Sequence, residues 1–129
     1  MAIFLLDTNI IIDAINDKKN RNDSLISLAE AGNILACCPV NIAEVYAGVR
    51  PKEEQLTAEV LHSLKLYPVT FDVAELAGRL KRDYVKKGKT LGLTDTLVAT
   101  VALHHELQLI IGNVKDFPMP DLCIYPLPG

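Results

Sequence analysis

The stretch Phe4-Leu5-Leu6-Asp7-Thr8-Asn9-Ile10-Ile11-Ile12-Asp13 contains the first charge of the chain, Asp7. Ala2 to Leu6 is an unbroken apolar run, the pattern of a short strand covered on both faces. Asp7 ends the run, and Thr8 or Asn9 can cap a helix that starts at once. A carboxylate so placed lies at the carboxyl end of a buried strand, where open α/β sheets gather their ligand chemistry. Taken alone, Asp7 reads better as an ordinary helix N-cap. The rest of the chain shifts that balance.

The same alternation continues along the sequence. Ile10, Ile11, Ala14 and Ile15 give the first helix an apolar stripe, and Asp17 to Asp23 reads as an exposed loop. A second helix is expected from about Ser24 to Ala31, with Leu25, Ile26, Leu28 and Ala29 inward and Gly32 at its end. Ile34 to Cys38 reads as a second buried strand, stopped by Pro39. A helix opens at Asn41-Ile42-Ala43-Glu44, and another spans Lys52 to Lys65 with Leu56, Val60, Leu61 and Leu64 on one side. Leu66 to Val69 suggests a third strand. Asp72-Val73-Ala74-Glu75 begins a helix that reaches about Lys87, and Thr94 caps one that ends near Glu106. Leu109 to Ile111 and Leu122 to Tyr125 complete the strands, and Pro118, Pro120, Pro126 and Pro128 punctuate the tail. No repeat, low-complexity segment or linker divides the chain. Strands separated by helices imply a single domain over 1–129, a three-layer α/β/α fold around a central, mostly parallel sheet.

Bulk properties narrow the function. With 129 residues, half of them hydrophobic, the chain can bury a sizeable core. A formal charge of −3 argues against a protein that coats nucleic acid through general electrostatics, though a local basic rim stays compatible with it. No apolar run approaches the roughly 20 residues that cross a bilayer, so no membrane role is expected. The six residues before Asp7 are too short and carry no basic segment for a signal peptide. Cys37, Cys38 and Cys123 are odd in number, lack C-x-x-C spacing and sit in apolar runs, so buried free thiols and a reducing cytoplasm are expected.

Four acids share one kind of local context. Asp7 follows the first strand, Glu44 and Asp95 fall in first turns of helices, and Asp116 follows the fourth strand. Each has a local explanation. Glu44 stands three residues after Asn41, as in a capping box. Asp95 after Thr94 suits the helix dipole, worth roughly 0.3–1 kcal/mol. Asp116 before Phe117-Pro118 suits a turn. These explain why acids occur there, but not why all four should face one edge of a parallel sheet. Carboxylates that converge raise one another's pKa unless a cation lies among them. An oxygen-only set without His or Cys suits Mg²⁺ or Mn²⁺ and the hydrolysis of a phosphodiester.

These residues carry a resemblance. The chain resembles the PIN-domain ribonucleases, specifically the VapC-type toxins of toxin–antitoxin pairs. Asp7-Thr8-Asn9 matches the opening motif and Asn41-x-x-Glu44 the second. Leu93-Thr94-Asp95 with Leu97-Val98-Ala99-Thr100 matches the third, and Asn113-Val114-Lys115-Asp116-Phe117 the last. The resemblance implies a PIN-like fold, an endoribonuclease dependent on Mg²⁺ or Mn²⁺, an RNA substrate, an antitoxin partner and a homodimer. It also implies a catalytic and metal-binding cluster of Asp7, Glu44, Asp95 and Asp116, with Thr8 orienting the first carboxylate and Asn9 and Asn113 in support. Gly112 departs from the pattern, standing where the family usually has Thr, which puts the hold on Asn113 and Asp116 in question.

Lys81, Arg82, Lys86, Lys87 and Lys89, with Lys18, Lys19 and Arg21, read first as solvated helix ends, and one or two could meet RNA phosphates. His104 and His105 fall late in a helix and read as surface residues. Two other classes compete with the nuclease. A phosphotransferase using Asp7 as nucleophile would want a second Asp where Asn9 stands. A PIN-like module that binds RNA or protein without cutting would need none of the four acids.

Overall fold

The three residues Phe4, Leu5 and Leu6 point alternately into two different cores, which is what makes this a three-layer molecule. In the computed structural model, which describes residues 1–127, they lie on β1 (Ile3–Leu6) at the centre of a five-stranded sheet. Phe4 and Leu6 pack with Ile10, Ile11, Leu25, Val45 and Leu61 on one face. Leu5 packs with Val73, Val98, Val101, Leu109 and Ile111 on the other. Full burial of each such side chain contributes about 1.5–3 kcal/mol. β4 (Gln108–Ile111) repeats the device, sending Ile110 to the first core and Leu109 and Ile111 to the second.

The remaining elements follow from that centre. Helices α1 (Thr8–Ile15) and α2 (Arg21–Glu30) lead from β1 to β2 (Ile34–Cys37). Helices α3 (Pro39–Ala47) and α4 (Glu54–Ser63) lead on to β3 (Lys65–Leu66), with a 3₁₀ turn at Pro51–Glu53 between them. α5 (Phe71–Lys86) and α6 (Leu93–His104) cover the opposite face before β4, and β5 (Cys123–Pro126) closes the far edge. The strand order is β3-β2-β1-β4-β5, and every ladder is parallel. Among the described residues, no helix is long and apolar enough to cross a membrane.

Several local expectations shift, each for an identifiable reason. α2 begins at Arg21 rather than Ser24, because positive φ at Asp17, Lys19 and Asn20 completes the turn early. Arg21 is buried and lies 3.8 Å from the Asp13 carboxylate, which removes it from the exposed cations. α3 starts at Pro39, whose missing N–H costs nothing at a first helical position. β3 is only two residues long, since Pro68 cannot extend a ladder. On α4, Leu56 is exposed and Thr57 takes the inward place beside Leu61. Ile26 and Ala29 on α2 also face outward. α5 is capped by the Thr70 hydroxyl, which accepts from the Val73 N–H at 3.3 Å, so it starts before Asp72. Cys37 and Cys38 are buried free thiols, with burial pushing the Cys37 thiol up to about 11. Cys123 is exposed instead, on the edge strand β5. Pro128 lies outside the described residues.

Candidate active site

Asp7 is held by its backbone from both sides. Its N–H donates to the Ile110 carbonyl of β4 at 2.9 Å, and its own carbonyl receives the Ile10 and Ile11 N–H groups at 3.1 and 3.3 Å. The residue therefore is the N-cap of α1 in backbone geometry, but its side chain makes no capping bond to the helix. Only 6% of Asp7 is exposed. Burial is the main cause that lifts its carboxyl to about 6; the Thr8 backbone N–H pulls the other way, and the charges of Asp95, Glu44 and Asp116 add to the rise.

Glu44 approaches from α3. The Thr8 hydroxyl donates to Glu44 Oε1 at 2.6 Å, and Asn41 Nδ2 donates to Thr8 Oγ1 at 3.1 Å. Asn41 Oδ1 in turn accepts the Cys38 N–H at 2.9 Å, so the cap of α3 is formed by Asn41 with Cys38. One expectation is thereby corrected and another extended. Glu44 spends its side chain on Thr8 rather than on its own helix start. Thr8 serves both acids, its hydroxyl donating to Glu44 and its backbone N–H to the Asp7 carboxylate.

Asp95 lies in the first turn of α6, where burial first, then Asp116 and Glu44, raise its carboxyl pKa. The N-cap is Gly92 rather than Thr94. The turn before the helix is tied down by Lys81 Nζ donating to the Leu91 carbonyl and by Thr96 Oγ1 donating to Gly92 O at 2.7 Å. Lys81 is thus occupied by the chain itself. A Cβ at Gly92 would stand 3.3 Å from Asp95 Oδ2, tighter than ordinary contact. Gly92→Ala is expected to shift that carboxylate by a few tenths of an ångström and to lower several-fold any turnover that depends on it. The weaker N-cap should cost about 0.5–1 kcal/mol of stability. Parallel kinetics and thermal melting check this; unchanged turnover would remove Asp95 from the reacting region.

Asp116 is exposed, in a 3₁₀ turn at Val114–Asp116. Asn113 Nδ2 donates to Asp116 Oδ2 at 3.1 Å, and Asn113 Oδ1 accepts the Lys115 N–H at 3.2 Å. This bracket is local and makes no use of a hydroxyl at position 112. A Cβ added at Gly112 would meet nothing within 4 Å. Asn9 is exposed at the start of α1. His104 and His105 are exposed at the far end of α6, about 18 Å of helix from its start.

The result is an open acidic edge, with Asp7 buried at its base and three acids whose charges reach it. Among the described residues, the ion pairs fall on Asp13, Glu53, Glu75 and Asp83, and none on these four acids. Nor do any three His, Cys, Asp or Glu side chains among the described residues close into a ready metal cage. The donor set nonetheless fits a hard divalent cation, being all oxygen and negatively charged. One cavity, lined by Leu6, Ile11, Leu25, Leu35, Val60 and Leu64, lies away from this edge, between α1, α2 and α4. Asn41 joins the site through Thr8, although its position three residues before Glu44 suggests only a cap.

Comparison with known proteins agrees with this architecture. The profile of the PIN domain matches residues 4–118. Ribonuclease VapC10 of Mycobacterium tuberculosis is 32% identical over 91% of this chain and 87% of its own length. Ribonuclease VapC2 of Rickettsia felis is 28% identical over 95% of this chain and 96% of its own. Among solved structures, VapBC2 from Rickettsia felis, bound to a DNA fragment from its promoter, superposes with a TM-score of 0.82 at 27% identity, covering 97% of this chain and 98% of that one. VapBC from Salmonella typhimurium, also bound to DNA, shares the fold with a TM-score of 0.82 at 18% identity, over 98% of each chain. By the family profile and the ribonuclease relatives together, the chain belongs to the PIN-domain family, in its VapC type.

Proposed function

We propose that the protein is a Mg²⁺- or Mn²⁺-dependent endoribonuclease and the toxin of a toxin–antitoxin pair. The observation that carries this reading is Asp7: a buried carboxylate at the carboxyl end of the central strand, raised to about 6 chiefly by burial, with the charges of Asp95, Glu44 and Asp116 adding to the rise. Asp7, Asp95 and Asp116 would hold the cation, and Glu44 would hold a second ion or the attacking water. When bound, such an ion supplies charge neutralisation at the phosphodiester and lowers the pKa of water. The chain's own part is to keep Asp7 out of water, to fix Glu44 through Thr8, and to present the acids on an open edge that an extended RNA strand can cross. Lys86, Lys87 and Lys89 are exposed on the approach to α6 and can meet phosphates. The antitoxin partner rests on the likeness to the VapBC2 complex, and the homodimer and a cytoplasmic setting rest on the family.

The test is cleavage of a mixed RNA pool by the purified chain with Mn²⁺ or Mg²⁺, repeated with a chelator. Metal-dependent fragments are expected. A folded protein that binds RNA but leaves it intact would favour a non-catalytic PIN-like module, and sedimentation as a monomer at all concentrations would overturn the dimer.

A further inference from the structure

Asn41 is fully buried, and a buried amide must find its partners within the protein. Which of its polar atoms points where is fixed by a neighbour whose role is unambiguous. The Cys38 backbone N–H can only donate, and it donates to Asn41 Oδ1 at 2.9 Å. The amide nitrogen therefore faces the other way and donates to Thr8 Oγ1 at 3.1 Å. A hydroxyl that accepts there has its own proton to place, and Glu44 Oε1 stands 2.6 Å away. Donation runs in one direction, from a backbone amide through Asn41 and Thr8 to a carboxylate one turn along the same helix.

The helix cap alone does not need this residue type. Capping requires only an acceptor for the Cys38 N–H, which Asp or Ser could also supply. Accepting from Cys38 while donating across to α1 requires an amide. We propose that Asn41 is a positioning residue of the site: acting through Thr8, it holds the Glu44 carboxylate in one orientation on the acidic edge. The proposal rests on the reading of Glu44 as part of the nuclease site.

Two near-isosteric variants separate the parts. Thr8→Val removes the hydroxyl while leaving the backbone N–H that faces Asp7. Asn41→Asp keeps the acceptor for Cys38 but turns the donor toward Thr8 into an acceptor, so the hydroxyl is drawn away from Glu44. Both should lower kcat ten- to hundredfold, the scale for groups that orient metal-binding side chains. KM for an RNA oligonucleotide should stay within about twofold, because substrate binding is untouched. Thr8→Ser, which keeps the hydroxyl, should recover most of the rate. A second readout needs neither metal nor substrate. In ¹⁵N NMR of the metal-free full chain, one Asn41 side-chain amide proton should exchange slowly with solvent and lose that protection in Thr8→Val. Where Thr8→Val fails to fold, Asn41→Asp carries the kinetic comparison. An inactive Glu44→Gln beside Thr8→Val and Asn41→Asp at wild-type kcat would overturn the relay alone. An Asn41 amide unaffected by Thr8→Val would overturn it too. Full cleavage by Glu44→Gln would instead overturn the underlying assignment of Glu44.

Discussion

Asp7→Asn is expected to abolish RNA cleavage, by roughly a thousandfold on the scale of preorganised active-site electrostatics, and at the same time to stabilise the metal-free protein. The loss of activity follows from replacing a charged oxygen donor with an amide, a poor ligand for a hard cation. The gain in stability follows from burial. The Asp7 carboxyl is raised from 3.8 to about 6, chiefly by desolvation, so the folded chain holds its proton more tightly than the unfolded chain. Between these two values the folded state binds more protons, and stability falls as pH rises. At 1.36 kcal/mol per pKa unit, the charged side chain costs about 3 kcal/mol at pH 7 and nothing below the unfolded pKa. Asn carries no such dependence. Denaturant unfolding of both proteins should therefore give similar stabilities near pH 4 and a gap that opens through pH 6. A variant less stable than the wild type at pH 7, or one fully active, would show that Asp7 has another role.

Divalent metal should close that gap in the wild type. An ion that binds only the folded, deprotonated edge stabilises it by about 2.7 kcal/mol when present at a hundred times its Kd. The melting temperature of the wild type at pH 7 should rise steadily with Mn²⁺. Asp95→Asn should shrink that rise, since Asp95 faces Asp116 and Glu44 from the first turn of α6 and shares the charge around Asp7. The same substitution should relieve repulsion in the metal-free protein. Equal Mn²⁺-induced shifts in wild type and Asp95→Asn would mean that Asp95 is outside the site. A set of unrelated helix caps predicts no metal-dependent shift at all.

The layers of the fold are legible in the sequence because the central strands are apolar without interruption. Phe4 to Leu6 and Leu109 to Ile111 must be covered on both sides, and helical periodicities between the strands supply the covers. Boundaries are harder to read where a single residue overrides the pattern. Pro68 cuts β3 to two residues, and Pro39 starts α3 two positions before Asn41. Cys123 sits in an apolar run, yet an edge strand leaves it exposed. In the site, Asp7 is marked by its place after β1, but the bond from Thr8 to Glu44 joins α1 to α3, and no local pattern announces it. Asn41 shows the limit most clearly, since one end of its amide makes a cap visible from sequence and the other makes a tertiary contact that is not. The hold on Asp116 could be read from Asn113 three residues earlier, without regard to Gly112.

The backbone bond between Asp7 and Ile110 has a consequence for the order of events in synthesis. β1 is translated before β4, and its central place in the sheet requires that later strand. Until then one flank of β1 lacks its ladder, and closing so long a loop costs entropy before the contact can offset it. The first acid of the edge is thus translated early and locked late. A nascent chain gains its complete acidic edge only after β4 and the turn that carries Asp116 have emerged, which leaves a time during synthesis in which the first acids are present but unassembled.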